Sequence, residues 1–174
     1  LYFACENDAV DGKLFRFEVQ TSDIKYFDSD AVSVVSNIAK RPIDFSIEDL
    51  RELDRKEFNS EEEIQYLLHE IKYEKPHFQN VIDSKDIERV FCVKPMFDNP
   101  RIIRQSGAFF LYGINGNKSQ PASLNFSYKV YIINKAQKRK IRKQLEALGI
   151  DKSTLFPEVE HVAEHIKDKY HLPK

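Results

Sequence analysis

Apolar positions along this chain alternate, bunch and recur in ways that predict strands and helices grouped in blocks. Leu14, Phe15, Phe17 and Val19 make Lys13 to Gln20 a largely apolar strand, entered through the turn-forming pair Asp11-Gly12. Val32, Val35 and Ile38 recur at helical spacing, which predicts a helix from Ala31 to Lys40 closed by Arg41-Pro42. Two more helices are expected behind Ser46/Asp49 and Ser60/Glu63, because a serine followed three residues later by an acid can cap a first turn from both sides. The second of these carries an inner stripe of Ile64, Leu67, Leu68 and Ile71.

The second half is richer in strands. Glu88 to Lys94 is apolar at consecutive positions (Val90, Phe91, Cys92, Val93), the pattern of a central strand buried on both faces. Ala108 to Tyr112 and Ser127 to Ile133 read as two further strands around a polar loop with Gly113, Gly116 and Pro121. Asn134 caps a helix that runs to Leu148 and ends at Gly149, and Pro157 opens a last helix reaching about Tyr170. Helices in blocks rather than in strict alternation imply an α+β fold: a mixed sheet of about four strands with helices packed around it. A length of 174 residues suits one domain spanning 1–174. Leu1-Tyr2-Phe3-Ala4-Cys5 reads as the middle of an apolar element, so the domain's N-terminal segment is expected to precede it.

Composition narrows the class. Apolar residues at 41% and charged residues at 32% describe a globular chain, not a disordered one. A net charge of -1 gives no long-range attraction to nucleic acid or anionic lipid. Cys5 and Cys92 form no spaced motif, which fits two thiols in a reducing, cytoplasmic compartment. No apolar run approaches the ~18 residues of a membrane helix, so no membrane partner is expected.

The stretch from Asp98 to Leu111 carries the most chemistry. Asn99-Pro100 starts a turn, and Arg101 to Gln105 can form about one helical turn with Ile102 and Ile103 inward. Arg101, Arg104 and Gln105 then lie three and four residues apart on one side. Gly107 lets the chain turn into the next strand, which would hold two guanidinium groups and an amide beside buried backbone. Such a group suits an anionic or planar polar ligand, because arginine grips carboxylate and phosphate with two parallel bonds.

Three other patterns read as structural. His161-Val162-Ala163-Glu164-His165 matches an inverted zinc-protease motif, but both histidines fall opposite the apolar stripe of their helix, so no metal site is expected. Gly113 to Ser119 hints at a phosphate loop, yet Asn117 separates Gly116 from Lys118 and a Gln120-Pro121 pair replaces the helix that should follow. Lys135, Lys138, Arg139, Lys140, Arg142 and Lys143 cluster on one helix, anchored by Ile141, Leu145 and Leu148. No aromatics interleave there for base stacking, so its charges read as a solvated face.

Three of these stretches together resemble the FRG domain family. Leu1-Tyr2-Phe3-Ala4-Cys5 with Asp11-Gly12 and the strand after it is similar to the family's central segment. Arg101-Ile102-Ile103-Arg104-Gln105-Ser106-Gly107-Ala108-Phe109 is similar to its C-terminal motif, and Leu148-Gly149-Ile150 with Thr154-Leu155-Phe156-Pro157 to its closing helix pair. The resemblance covers nearly the whole chain except about 42–84. The family's aromatic-Arg-Gly triplet and its His-Gly-x-Pro-Thr-Arg-Leu-Leu-Asp-Trp-like run are not in this chain. A weaker similarity links the layout to ADP-ribosyltransferases, which cleave NAD and use a glutamate near the later strand. Here Gln105 stands in that region, with no acid between Arg101 and Tyr112.

The leading expectation is therefore a ligand-binding or interaction module, with Arg101, Arg104 and Gln105 as its polar site and a small molecule or a protein as its partner. An NAD- or nucleotide-using enzyme, with NAD as cofactor, is the alternative. Nucleic-acid contact through the basic helix 135–148 comes third.

Overall fold

The computed structural model describes residues 1–79, 81–159, 162–163 and 166–167. In chain order the elements are β1 (Gly12–Glu18), β2 (Ile24–Tyr26), α1 (Asp30–Asn37), α2 (Arg55–Ser60), α3 (Glu62–Glu74) and α4 (Ser84–Ile87). There follow β3 (Val90–Lys94), α5 (Pro100–Arg104), β4 (Phe109–Tyr112), β5 (Ile114–Asn115) and β6 (Asn117–Pro121), then β7 (Ser127–Ile133), α6 (Lys138–Ala147) and α7 (Lys152–Leu155). The architecture is α+β. All four expected strands form, as β1, β3, β4 and β7, but they divide between two sheets instead of sharing one.

The chain makes two compact units. A core unit comprises Val19–Met96 and Ala108–Asn125; a ribbon unit comprises Leu1–Glu18, Phe97–Gly107 and Phe126–Lys174.

The core unit is built on the mixed sheet β2-β3-β4, with β2 parallel and β3–β4 antiparallel. β3 lies in the middle, as its continuous apolar run predicts, and Val90, Phe91 and Val93 are buried. Ser29 caps α1 by accepting from the Val32 N–H, and Val32, Val35 and Ile38 all turn inward. The α3 stripe Ile64, Leu67, Leu68 and Ile71 is buried whole in the same cluster, beside Phe58 and Phe91. Each such side chain contributes about 1.5–3 kcal/mol through burial.

Neither expected serine–acid capping box forms, although Ser46 Oγ accepts from the Glu48 N–H (3.2 Å). Ser60 ends α2, its hydroxyl donating back to the Lys56 carbonyl (2.8 Å), and Ser46 bridges to Asn117. The capping box is instead Asp54/Glu57 at the start of α2. An acid at the first position does the same work as a serine.

β5 and β6 make a hairpin about Gly116, whose φ of +79° is left-handed. Its carbonyl accepts from Ile47 N–H (2.7 Å). Lys118 Nζ donates to the Ala39 carbonyl (2.8 Å) and to that of Arg41, capping the end of the α1 segment as a cation should. The lysine of the phosphate-loop-like stretch is thus committed to protein carbonyls.

The ribbon unit pairs β1 with β7 antiparallel over their full lengths, from Gly12↔Ile133 to Glu18↔Ser127. A tight turn at Phe3–Cys5 packs under the Gly12 end, where a Cβ on residue 12 would overlap the Ala4 carbonyl. Asn134 caps the segment leading into α6, and Gly149 (φ +73°) follows it, as the sequence predicts.

Candidate functional site

α5 forms for the reasons its residues suggest. Asn99 Oδ1 accepts from the Arg101 N–H (2.9 Å), and Pro100 occupies the first helical position. The helix closes with the Gly107 N–H bonded to the Ile102 carbonyl (2.8 Å) and the Ser106 N–H to that of Ile103 (3.2 Å). The left-handed residue in this closure is Ser106, at φ +49°, not the glycine beside it. A non-glycine residue there holds on the order of 1–2 kcal/mol of backbone strain. Ile102 is half-buried, whereas Ile103 is exposed rather than inward. One turn is too short to bury two adjacent side chains on the same side.

The three sequence-predicted site residues have different surroundings. Arg101 lays its guanidinium over the Phe156 ring, 4.8 Å from the centroid. Phe156 in turn meets Phe3 edge-on at 5.9 Å, and Phe3 meets Tyr2 at 5.6 Å. Gln105 is half-buried, and its Nε2 donates to the Leu155 carbonyl (3.1 Å) at the end of α7. Arg104 is exposed and, among the described residues, has no acidic or hydrogen-bonding partner. Three stretches far apart in sequence, at Tyr2-Phe3, Arg101–Gln105 and Leu155-Phe156, therefore meet at one place in the ribbon unit.

β4, the strand expected to back this site, is the edge of the core unit's sheet and is only partly covered. It belongs to a different unit from α5, the two being divided between Gly107 and Ala108.

α7 was hidden in the sequence. Asp151 accepts from the Thr154 N–H while Thr154 Oγ1 accepts from the Asp151 N–H, both at 3.0 Å. That Asp-x-x-Thr cap is the signal that could have found it.

The basic helix α6 is less solvated than its charges suggest. Lys138 is buried at 1% exposure and donates to the Asn7 carbonyl (2.7 Å). Arg142 makes two bonds to Asp8, at 2.6 and 2.7 Å, and a third to the Cys5 carbonyl. Its guanidinium holds the Asp8 carboxyl below the usual carboxylate range, and Asp8 raises Arg142 in return. Two of the six cations thus tie α6 to the N-terminal turn. Leu148, expected as an anchor, is exposed.

His161 and His165 lie outside the described residues. Among those described, no group of three His, Cys, Asp or Glu side chains is placed to hold a metal ion, and no helix is long and apolar enough to cross a membrane. Compared with protein-family models, curated proteins and solved structures, the chain matches none.

Proposed function

We propose that the chain is a ligand-binding module of the FRG type whose polar site is the α5 platform of the ribbon unit. The observation that carries this reading is Arg104. It projects from a capped turn whose other two polar groups are already committed, Arg101 to Phe156 and Gln105 to Leu155. Fixed neighbours lower the ordering cost of a ligand, and an arginine with no carboxylate beside it among the described residues offers a two-pronged grip on phosphate or carboxylate. The meeting of the three family-like stretches at this point also supports the FRG reading.

The ligand class that fits is an anion carrying a flat polar ring, such as a nucleotide or ADP-ribose. Binding fits better than NAD cleavage. One N–H of the Gln105 amide that would orient a ribose is held by a main-chain carbonyl, and α5 has no carboxylate to stabilise positive charge.

Thermal unfolding with NAD, ADP-ribose or ATP tests the reading, since a ligand of the native state raises the midpoint with the logarithm of its saturation. The expected result is a rise with at least one of them that Arg104→Ala abolishes. That exposed substitution should leave the ligand-free midpoint unchanged. Equal midpoints with and without every ligand would sink the proposal.

A further inference from the structure

The hairpin stretch from Gly113 to Ser119, whose lysine is committed to protein carbonyls, holds chemistry of another kind. Asn115 is the one asparagine of the chain that is followed by glycine. Glycine has no side chain to shield its amide nitrogen, so that nitrogen can reach back to the side-chain carbonyl carbon of the preceding asparagine. The pair lies where β5 turns into β6, in the core unit, as do Ile47, Glu48, Arg51 and Glu88.

The fold holds both residues in place. Gly116 is left-handed (φ +79°), and a Cβ there would lie 2.6 Å from Glu48 Cγ and 3.1 Å from Arg51 Nη2. Its carbonyl accepts from the Ile47 N–H (2.7 Å), and the residue after it is tied down by Asn117 Nδ2 donating to Glu48 Oε1 (3.0 Å). Asn115 Oδ1 accepts from Arg51 Nη2 (3.2 Å). That guanidinium is itself fixed, its Nε and Nη2 both donating to Glu88 Oε1. The asparagine amide therefore has a cation set against its oxygen and an unshielded backbone nitrogen next to it in the chain.

We propose that Asn115-Gly116 is a site of self-modification, at which the side-chain amide of Asn115 is lost as ammonia with the assistance of Arg51. The Gly116 nitrogen gives up its proton to solvent and bonds to Asn115 Cγ, which leaves negative charge on Oδ1. The Cγ–Nδ2 bond then breaks, Nδ2 takes up a proton and departs as ammonia, and a five-membered imide joins the two residues. Water adds to either imide carbonyl and opens the ring to an aspartate or an isoaspartate at position 115. The net change is amide plus water to acid plus ammonia, with nothing oxidised or reduced. Arg51 acts at the atom where charge develops, as an oxyanion-hole donor does. Its bond strengthens along the way, because hydrogen bonds between ionised groups are shorter and stronger than those to a neutral acceptor.

The product alters the core unit in two ways. Either acid adds a negative charge beside Arg51, which already serves Glu88. The isoaspartate also inserts a side-chain carbon into the main chain ahead of Gly116. That insertion works against the bonds that join the hairpin to the segment before it, from the Ile47 N–H to the Gly116 carbonyl and from the Lys118 N–H to the Phe45 carbonyl (2.9 Å).

Incubation of the full chain at neutral pH, followed by tryptic digestion and mass spectrometry, tests this. Asn115 and Asn117 fall in one peptide, Gln105 to Lys118, so fragment ions separate them and Asn117 serves as the internal control. The expected result is conversion at Asn115 with Asn117 intact, slowed about tenfold in folded Arg51→Gln, the size of one hydrogen bond to a charged group. In urea the variant and the unaltered chain should react alike, because the guanidinium is no longer held against the amide. The unaltered chain should react at least as fast folded as in urea, a comparison that does not depend on any variant folding. An Asn115 that survives in the folded protein but not in urea would overturn the inference, since Arg51 would then be holding the amide away from the Gly116 nitrogen. So would equal folded-state rates with and without Arg51, or loss at Asn117 that keeps pace with loss at Asn115.

Discussion

Asn59→Ala should cost the core unit about 2–6 kcal/mol, from two buried backbone groups losing their partners at about 1–3 kcal/mol each. Asn59 is buried at the end of α2 and treats Ile82 as a strand would. Its Oδ1 accepts from the Ile82 N–H (2.7 Å), and its Nδ2 donates to the Ile82 carbonyl (2.9 Å) and to that of Arg55 (2.8 Å). Among the described residues, no other hydrogen bond reaches the Ile82 amide or carbonyl. Truncation leaves both in a site where Ile82 is 1% exposed and water has no access. The Arg55 carbonyl stays within its helix and adds little. Urea unfolding followed by far-UV circular dichroism measures the loss, and amide exchange at Ile82 localises it.

Asn59→Asp sharpens the test. The carboxylate would face the Ile82 carbonyl, and burial should raise its folded-state pKa above the unfolded value. With that sign, the destabilisation grows as pH rises through the folded pKa and shrinks on acidification, when a proton restores the donor. A loss below about 1 kcal/mol for the alanine variant, or an aspartate variant indifferent to pH, would refute this account of the bridge.

Gly113→Ala should unfold the core unit or drive it into aggregates, because a Cβ there would overlap the Ile87 carbonyl and lie 2.8 Å from that of Arg89. Soluble expression with unchanged melting would contradict it. Asp8→Asn should lower the midpoint at neutral pH, and the gap from the unaltered protein should close on acidification. Arg142 holds the Asp8 pKa below its unfolded value, so this contribution is present above about pH 4 and lost as pH falls through the folded value. A gap that persists to strongly acid pH would show that Asp8 acts through packing rather than charge.

Local pattern determined a great deal. The four expected strands, the α1 and α3 helices, the α5 turn and the end of α6 are all where periodicity, caps and glycines place them, because those signals act within a few residues. The polar trio Arg101, Arg104 and Gln105 was legible as a group for the same reason. What each member of the trio does was not. Phe156 and Leu155 lie some fifty residues downstream, and only tertiary contact makes one arginine a stacked support and leaves the other without a partner among the described residues. Lys138 and Arg142 show the same limit, since helical spacing cannot tell a solvated cation from one drawn onto a distant carbonyl. Strand pairing was equally out of reach. β1 and β7 are separated by over a hundred residues, and nothing in either run says that they pair with each other and leave β3 and β4 to a second sheet. Those choices depend on long-range packing, where the free energy of burial and of charge pairing is shared among residues that the sequence keeps apart.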